Sequence, residues 1–386
     1  MKKICYVVTV PITIRAFFVP QLQYLAEHGF EVHVICSEDD GLQELLGEKI
    51  KYIPLNMPRG ISFGGTIKAI KELTRIFKRE RYDLVQYSTP NAAFNASISS
   101  KVAKIRIRNY HLMGLRYEGD HGLKRKILKM MEKISCSLST HIECVSNSNM
   151  EIALKDKIFS REKATIVWNG STGGVDLERF DYKKREVWRT ELREKFGYKS
   201  TDFIYGFIGR ITKDKGVNEL LEAFFKINDG SKLFLIGNIE DEKKLDKTLW
   251  NRAMVNSDIL IHEAVSDIEK YYALIDVLVL PSYREGFGNV VIEAGAVGTP
   301  AIITDIPGPI DTIISGETAL SVLPQNAKEL EYSMKKIKVL DYRNMGIKAI
   351  KFVSSHFECG ELNEKILERK NKLCGLGKNE KNCDCK

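Results

Sequence analysis

What this sequence lacks narrows its class first. No apolar run approaches the roughly 20 residues a membrane-spanning helix needs. The N-terminal stretch M-K-K-I-C-Y-V-V-T-V stops at Pro11 without a small-residue cleavage site. It therefore reads as a buried first strand, not a signal peptide. Cysteines are few, 8 in 386 residues, and scattered. Cys5, Cys36 and Cys144 lie in or beside apolar runs and read as reduced core residues. Cys374, Cys383 and Cys385 could hold a metal only without a histidine, in a tail that reads as disordered. There is no D-x-D motif, and the acidic cluster Glu240-Asp241-Glu242 reads as a solvated helix start. No metal site is expected.

What remains is an ordinary globular composition, 44% hydrophobic and 28% charged, long enough for two or three domains. Strand-like and helix-like patterns alternate from end to end. Strands are expected at Lys3–Val10, Glu31–Cys36, Ile50–Pro54, Asp83–Tyr87, Ile105–Asn109, His141–Val145 and Ala164–Val167. Helical patterns such as Ala16–His28 and Thr66–Arg79 lie between them. This order implies a doubly wound parallel α/β sheet. The polar, glycine-rich stretch from Asn169 to Asp176 interrupts the rhythm and suggests a linker. Alternation resumes with Phe203–Ile208, Lys232–Ile236, Asp258–His262, Val277–Leu280 and Ala301–Thr304, giving a second Rossmann-like half. A helical stretch from Tyr342 to about Lys370 ends the pattern.

The second half carries the clearest chemistry. After the apolar run Val277–Leu280 comes P-S-Y-R-E-G-F-G-N-V-V-I-E, residues 281–293. Strand, glycine loop and helix start follow in that order, with Asn289 as the expected N-cap. Free backbone N–H groups and a positive helix end make such a loop an anion site. Gly286 and Gly288 allow close approach of a phosphate. Glu285 and Glu293 flank the loop, and carboxylates beside a phosphate site suit a ligand that also bears sugar hydroxyls. Gly209-Arg-Ile-Thr-Lys-Asp-Lys-Gly216 also follows a strand and opens a helix at Val217–Ile227. Arg210 and Lys215 can reach one anion there, and strand-end loops of a parallel sheet gather at one edge.

The pattern P-S-x-x-E-G-F-G followed by E-x7-E resembles the donor site of the retaining family 4 glycosyltransferases, and G-R-x-x-x-x-K-G resembles their diphosphate loop. The resemblance implies a GT-B fold, two Rossmann-like domains facing a central cleft. Residues 1–168 would form an acceptor-side domain, joined by the C-terminal helix at about 342–370. Residues 177–341 would bind the nucleotide sugar. In this reading Gly209, Arg210, Lys215 and the amides of Gly286, Phe287, Gly288, Asn289 and Val290 hold the diphosphate. Glu293 holds the ribose, the loop Glu263-Ala264-Val265 reads the base, and Glu285 and His111 contact the transferred sugar. His111, Arg210, Lys215 and Glu285 would carry catalysis, with no cofactor and no metal, because cations and helix ends can offset a leaving diphosphate. The donor would be a nucleoside diphosphate sugar, with UDP favoured. The first loop T-V-P-I-T departs from the family, whose members often have paired glycines there. Its form resembles a subgroup that builds bacterial surface polysaccharides.

Charge is uneven. Residues 59–133 hold 17 Lys and Arg against 6 Asp and Glu, a net +11. The whole chain is only +8, so the rest is −3. Cations on helices at 66–81 and 122–133 suggest attraction to anionic lipid heads, hence a peripheral position at the inner face of the membrane and a glycan or polyprenyl-diphosphate-linked acceptor. Two rival functions share these features. A nucleotide-sugar epimerase would use the same fold, and a nucleic-acid-binding protein would use the basic stretch, though no nucleic-acid motif accompanies it.

Overall fold

The computed structural model describes residues 1–58, 60 and 62–376. It divides into two compact α/β units. The first comprises Met1–Val145, Met150–Gly173 and the chain from Gly360 on; the second comprises Ser146–Asn149 and Gly174–Cys359.

The first unit holds seven strands: β1 (Lys2–Val7), β2 (Phe30–Cys36), β3 (Ile50–Pro54), β4 (Leu84–Tyr87), β5 (Ile107–Leu112), β6 (His141–Cys144) and β7 (Ala164–Thr165). All pair in parallel, in the order β3-β2-β1-β4-β5-β6-β7. The order reverses at β1/β4, the doubly wound switch point beside which such sheets bind ligands. Strands such as β1 and β4 are largely apolar because helices cover both faces, whereas β5 and β6 carry the buried polar residues Asn109, His111 and Glu143.

Strands β1 and β7 end earlier than expected, at Val7 and Thr165, and three further differences from the sequence reading bear on the site. The first loop is largely a helix, Pro11–Phe17, because Pro11 sits at its first turn with φ already suitable. The pattern at Ala16–His28 is broken into that helix and a second, Val19–Glu27, which starts with its own proline. Strand β5 begins later than expected and runs on through His111 to Leu112, so His111 is a strand residue.

The second unit holds β8 (Ile204–Ile208), β9 (Lys232–Ile236), β10 (Ile259–His262), β11 (Val277–Leu280), β12 (Ala301–Thr304) and β13 (Ala319–Val322). These are again all parallel, in the order β10-β9-β8-β11-β12-β13. The edge strand β13 is additional to the sequence reading; its segment is too short and too mixed to stand out.

The final helical stretch is two helices, Tyr342–His356 and Cys359–Cys374. The break falls at Phe357, whose buried ring leaves the helical path and whose carbonyl accepts from Val175 N–H at 2.7 Å. Cys359 N–H returns a bond to Val175 O at 3.0 Å. The points where the chain enters and leaves the second unit are thus stitched together. Only the second helix belongs to the first unit, where Leu362, Ile366 and Cys374 join a core with Ile4, Tyr6, Phe18 and Val34.

Cys5, Cys36 and Cys144 are buried free thiols, as expected, and Cys374 is also buried in its helix. Cys383 and Cys385 lie outside the described residues.

Candidate functional site

In the second unit, parallel pairing brings the loops after β8 and β11 together. Tyr283 N–H bonds to Asp214 O at 2.9 Å, and Tyr283 OH donates to Glu219 Oε1 at 2.7 Å. Behind them, Thr304 Oγ1 at the end of β12 donates to Ser282 O at 2.5 Å. Gly216 turns the first loop into the helix Val217–Ile227 at φ +72°, and a Cβ there would lie 2.0 Å from Pro281 O. Only glycine lets the two loops pack so closely.

The candidates then meet. Lys215 Nζ donates to Glu285 Oε1 at 2.5 Å, and Ser282 Oγ donates to the same oxygen at 2.8 Å. Both charged side chains are about 15% exposed, so the pair is largely withdrawn from water yet reachable. Arg210 stands on the same loop but half exposed, its Nη1 2.8 Å from Glu240 Oε2. Glu240, read as part of an idle acidic start, therefore has a partner. Its neighbours form a 3₁₀ turn, Glu242–Lys244, in which Glu242 Oε1 accepts from Trp250 Nε1 at 2.9 Å.

The helix Asn289–Ala296 opens as expected, but Gly288 is its N-cap, in a left-handed conformation at φ +102°, and Asn289 is the first helical residue. A glycine cap leaves the first-turn N–H groups without a side-chain acceptor of their own. Phe287 is buried, its ring edge-on to Phe357 at 5.5 Å, so it offers backbone alone. Gly286 and Val290 are half-buried. Glu293, one turn in, accepts from the buried Tyr272 OH at 2.7 Å. Burial pushes its carboxyl above the usual range, against the pull of that hydroxyl and of Arg179. Glu263 and Ala264, after β10, are exposed and Val265 is half-buried; His262 Nδ1 contacts Glu263 O at 2.9 Å.

In the first unit His111 is buried on β5, with Nε2 3.1 Å from Thr172 Oγ1 and its ring edge-on to Phe18 at 5.5 Å. Burial, with the charge of Lys370, outweighs the opposing pull of Glu143 and lowers its pKa to about 4, so the ring is neutral near pH 7.

Sequence reasoning gave no role to Tyr272, Glu240, Ser282 or Thr172. Tyr272, Glu240 and Thr172 support their candidates through contacts distant in sequence and belong to no spaced motif; Ser282 lies inside the P-S-x-x-E-G-F-G motif, three residues before the Glu285 it bonds. Among the described residues no three His, Cys, Asp or Glu side chains gather as a metal-ligand set. Nor is any described helix long and apolar enough to cross a membrane.

Comparison with known proteins agrees with this geometry. The model of Glycosyl transferases group 1 matches residues 189–351, and that of Glycosyltransferase Family 4 matches residues 21–179. The capsular polysaccharide biosynthesis glycosyltransferase CapM of Staphylococcus aureus is 32% identical over 340 residues, 87% of each chain. The UDP-Gal:alpha-D-GlcNAc-diphosphoundecaprenol alpha-1,3-galactosyltransferase of Escherichia coli is 25% identical over 320 residues, 79% of this chain and 80% of that one. Among solved structures, Anabaena Alr3699/HepE in complex with UDP and glucose superposes with a TM-score of 0.80 at 18% identity, covering 96% of this chain and all of the other. A glycosyltransferase from Rickettsia africae ESF-5 gives 0.79 at 22% identity, covering 96% and 98%. Two parallel α/β units, a charged pair at a glycine loop and these likenesses converge: the chain belongs to the family 4 glycosyltransferases and has the GT-B architecture.

Proposed function

We propose that this glycosyltransferase moves a hexose or N-acetylhexosamine, with retention of configuration, from a UDP-sugar to a lipid-linked or glycan acceptor in bacterial surface polysaccharide synthesis. The observation that carries the reading is the Lys215–Glu285 pair at the Gly288 helix cap. A cation on the loop packed against a helix N-terminus that lacks a side-chain cap suits a diphosphate; a carboxylate on the loop leading into that helix suits a sugar hydroxyl. Arg210 and Lys215 offset the charge that grows on the diphosphate as the sugar leaves. The departing phosphate then takes the acceptor's proton on the same face, so no protein base is assigned. UDP and a lipid diphosphate acceptor are supported by the activity that names the Escherichia coli relative.

The first test is donor binding. Glu293→Ala is expected to weaken UDP affinity by about 10- to 150-fold, the worth of a charge-assisted hydrogen bond at roughly 1.5–3 kcal/mol. Tyr272→Phe, which removes only the hydroxyl that Glu293 accepts from, should leave UDP affinity within a few-fold. Calorimetry on both folded variants decides. Unchanged affinity in Glu293→Ala removes the ribose role.

Acceptor access is proposed to use an anionic membrane surface. On the helix Phe63–Glu80, Leu73, Ile76 and Phe77 are buried core, while Lys68, Lys71, Arg75, Lys78 and Arg79 are exposed. The helix Gly122–Leu138 adds apolar contact. Leu123 (74% exposed) and Met130 (56%) stand in one stripe with half-buried Ile127 and Ile134, flanked by exposed Lys124, Lys126 and Lys133. That pattern fits a helix lying in a lipid interface, at about 1 kcal/mol per nearby cation. Co-sedimentation with phosphatidylglycerol vesicles should be strong at low salt and fall at high salt; neutral phosphatidylcholine should bind little. Reversing Lys68, Lys71, Arg75 and Lys78 to Glu should abolish sedimentation, and Leu123→Asp with Met130→Asp should weaken it at both salts. Binding indifferent to lipid charge and salt rejects the electrostatic surface.

A further inference from the structure

Beneath His111 lies a buried polar cluster that the proposed chemistry does not use. Parallel register sets His111 on β5 beside Glu143 on β6, and Gln86 on β4 beside Asn109 on β5. The helix Cys359–Cys374 delivers Lys370 into this cluster from the far end of the sequence. Lys370 is 1% exposed and Glu143 3%. Lys370 Nζ lies 2.8 Å and 3.0 Å from the two oxygens of Glu143 and 2.6 Å from Gln86 Oε1, which also accepts from Asn109 Nδ2 at 2.8 Å. The three ammonium protons are thereby all engaged.

His111 Nδ1 is 4.0 Å from Glu143 Oε2, beyond hydrogen-bonding distance, and this buried nitrogen has no partner. A buried imidazole next to a carboxylate would ordinarily pair with it and take up a proton. Here both carboxylate oxygens are held by the ammonium instead. The other charged or titratable groups facing Glu143 are Arg369, with Nε 3.6 Å from Oε1, His141 and Cys144 on β6, and Tyr6 on β1.

We infer that Lys370 is a positioning residue for His111: it withholds Glu143 from the imidazole, so the ring stays neutral and keeps one nitrogen able to accept a hydrogen bond. The C-terminal helix thus sets the charge of a residue that the family resemblance assigns to the transferred sugar, and the inference rests on that reading for its catalytic meaning. Glu143 itself is held ionised: burial would raise its carboxyl, but the charge and hydrogen bonds of Lys370 outweigh it and bring it to about 2. Removing Lys370 leaves that carboxylate one side-chain adjustment from Nδ1.

The experiment follows the His111 ring proton by NMR, assigned among the seven histidines by its loss in His111→Gln. In the wild type the ring should stay neutral down to about pH 4. In Lys370→Met it should titrate near or above the ordinary histidine range, and kcat should acquire a new limb between about pH 6 and 8. Adding Glu143→Gln to Lys370→Met removes the carboxylate and should restore both the neutral ring and the flat profile. Glu143→Gln alone provides a readout even if Lys370→Met does not fold: its ring should remain neutral across pH 6–8. A His111 titration unmoved by Lys370→Met, or an imidazolium at neutral pH in Glu143→Gln, overturns the inference. Full activity in His111→Ala would instead remove the proposed role of the histidine while leaving the coupling measured by NMR intact.

Discussion

Lys215→Ala is expected to lower kcat by about 10²- to 10³-fold while changing the donor KM far less. The size is that of removing one preorganised group from a developing oxyanion, about 2.7–4 kcal/mol. The split follows from timing: charge on the diphosphate grows as the sugar departs, so a cation there stabilises the transition state more than the bound donor. Lys215 is well placed for this because it is about 16% exposed and held on a loop that Gly216 and Tyr283 fix to its neighbour. Arg210→Ala should also act mainly on kcat, but less strongly, since Arg210 is about half exposed and its charge is screened by water and by Glu240. Glu285→Gln gives the complementary result. It frees Lys215 from its carboxylate, so UDP affinity should hold or tighten while transfer slows. Steady-state kinetics on the three variants, with UDP calorimetry, checks the pattern. A Lys215→Ala enzyme with raised KM and intact kcat would reduce Lys215 to plain donor binding.

The sequence made the second unit more legible than the first, for physical reasons. A strand, a glycine loop and a helix start are local, so the stretches 209–216 and 281–293 announce themselves by spacing. Their adjacency follows from parallel pairing, and the Lys215–Glu285 contact confirms it. The detail that failed was again local: Asn289 looks like a cap, but Gly288 with positive φ takes that position. In the first unit, reading the strand as ending at Asn109 put His111 in a loop, because the polar pair Asn109 and His111 breaks the apolar run. Those residues are polar because they face a buried network closed by Lys370, 259 positions further on. No window of sequence contains such a contact. The edge strand β13 and the break at Phe357 were hidden for the same reason, since pairing with β12 and with Val175 defines them.

Gly216→Ala should damage the second unit more than any surface change of equal size. Two costs add. The residue sits at φ +72°, where an L side chain costs about 1–2 kcal/mol. Its Cβ would lie 2.0 Å from the Pro281 carbonyl oxygen and 2.7 Å from its carbon, both backbone atoms that no rotamer change can move aside. Forcing the loops apart costs about 1–3 kcal/mol more by analogy with overpacked cores, for a total of about 2–5 kcal/mol. Gly230→Ala is the control. It has a similar φ of +79° but nothing within 4 Å of the new Cβ, so only the first cost applies. The shared backbone penalty cancels, so Gly216→Ala should have the lower denaturant midpoint of the two, by the amount of the second cost. Moving the loop at 281–288 also shifts Glu285 relative to Lys215, so UDP affinity should fall in Gly216→Ala and not in Gly230→Ala. Equal loss of stability in both variants, with UDP binding kept in both, would mean that the loop contact contributes nothing beyond the turn.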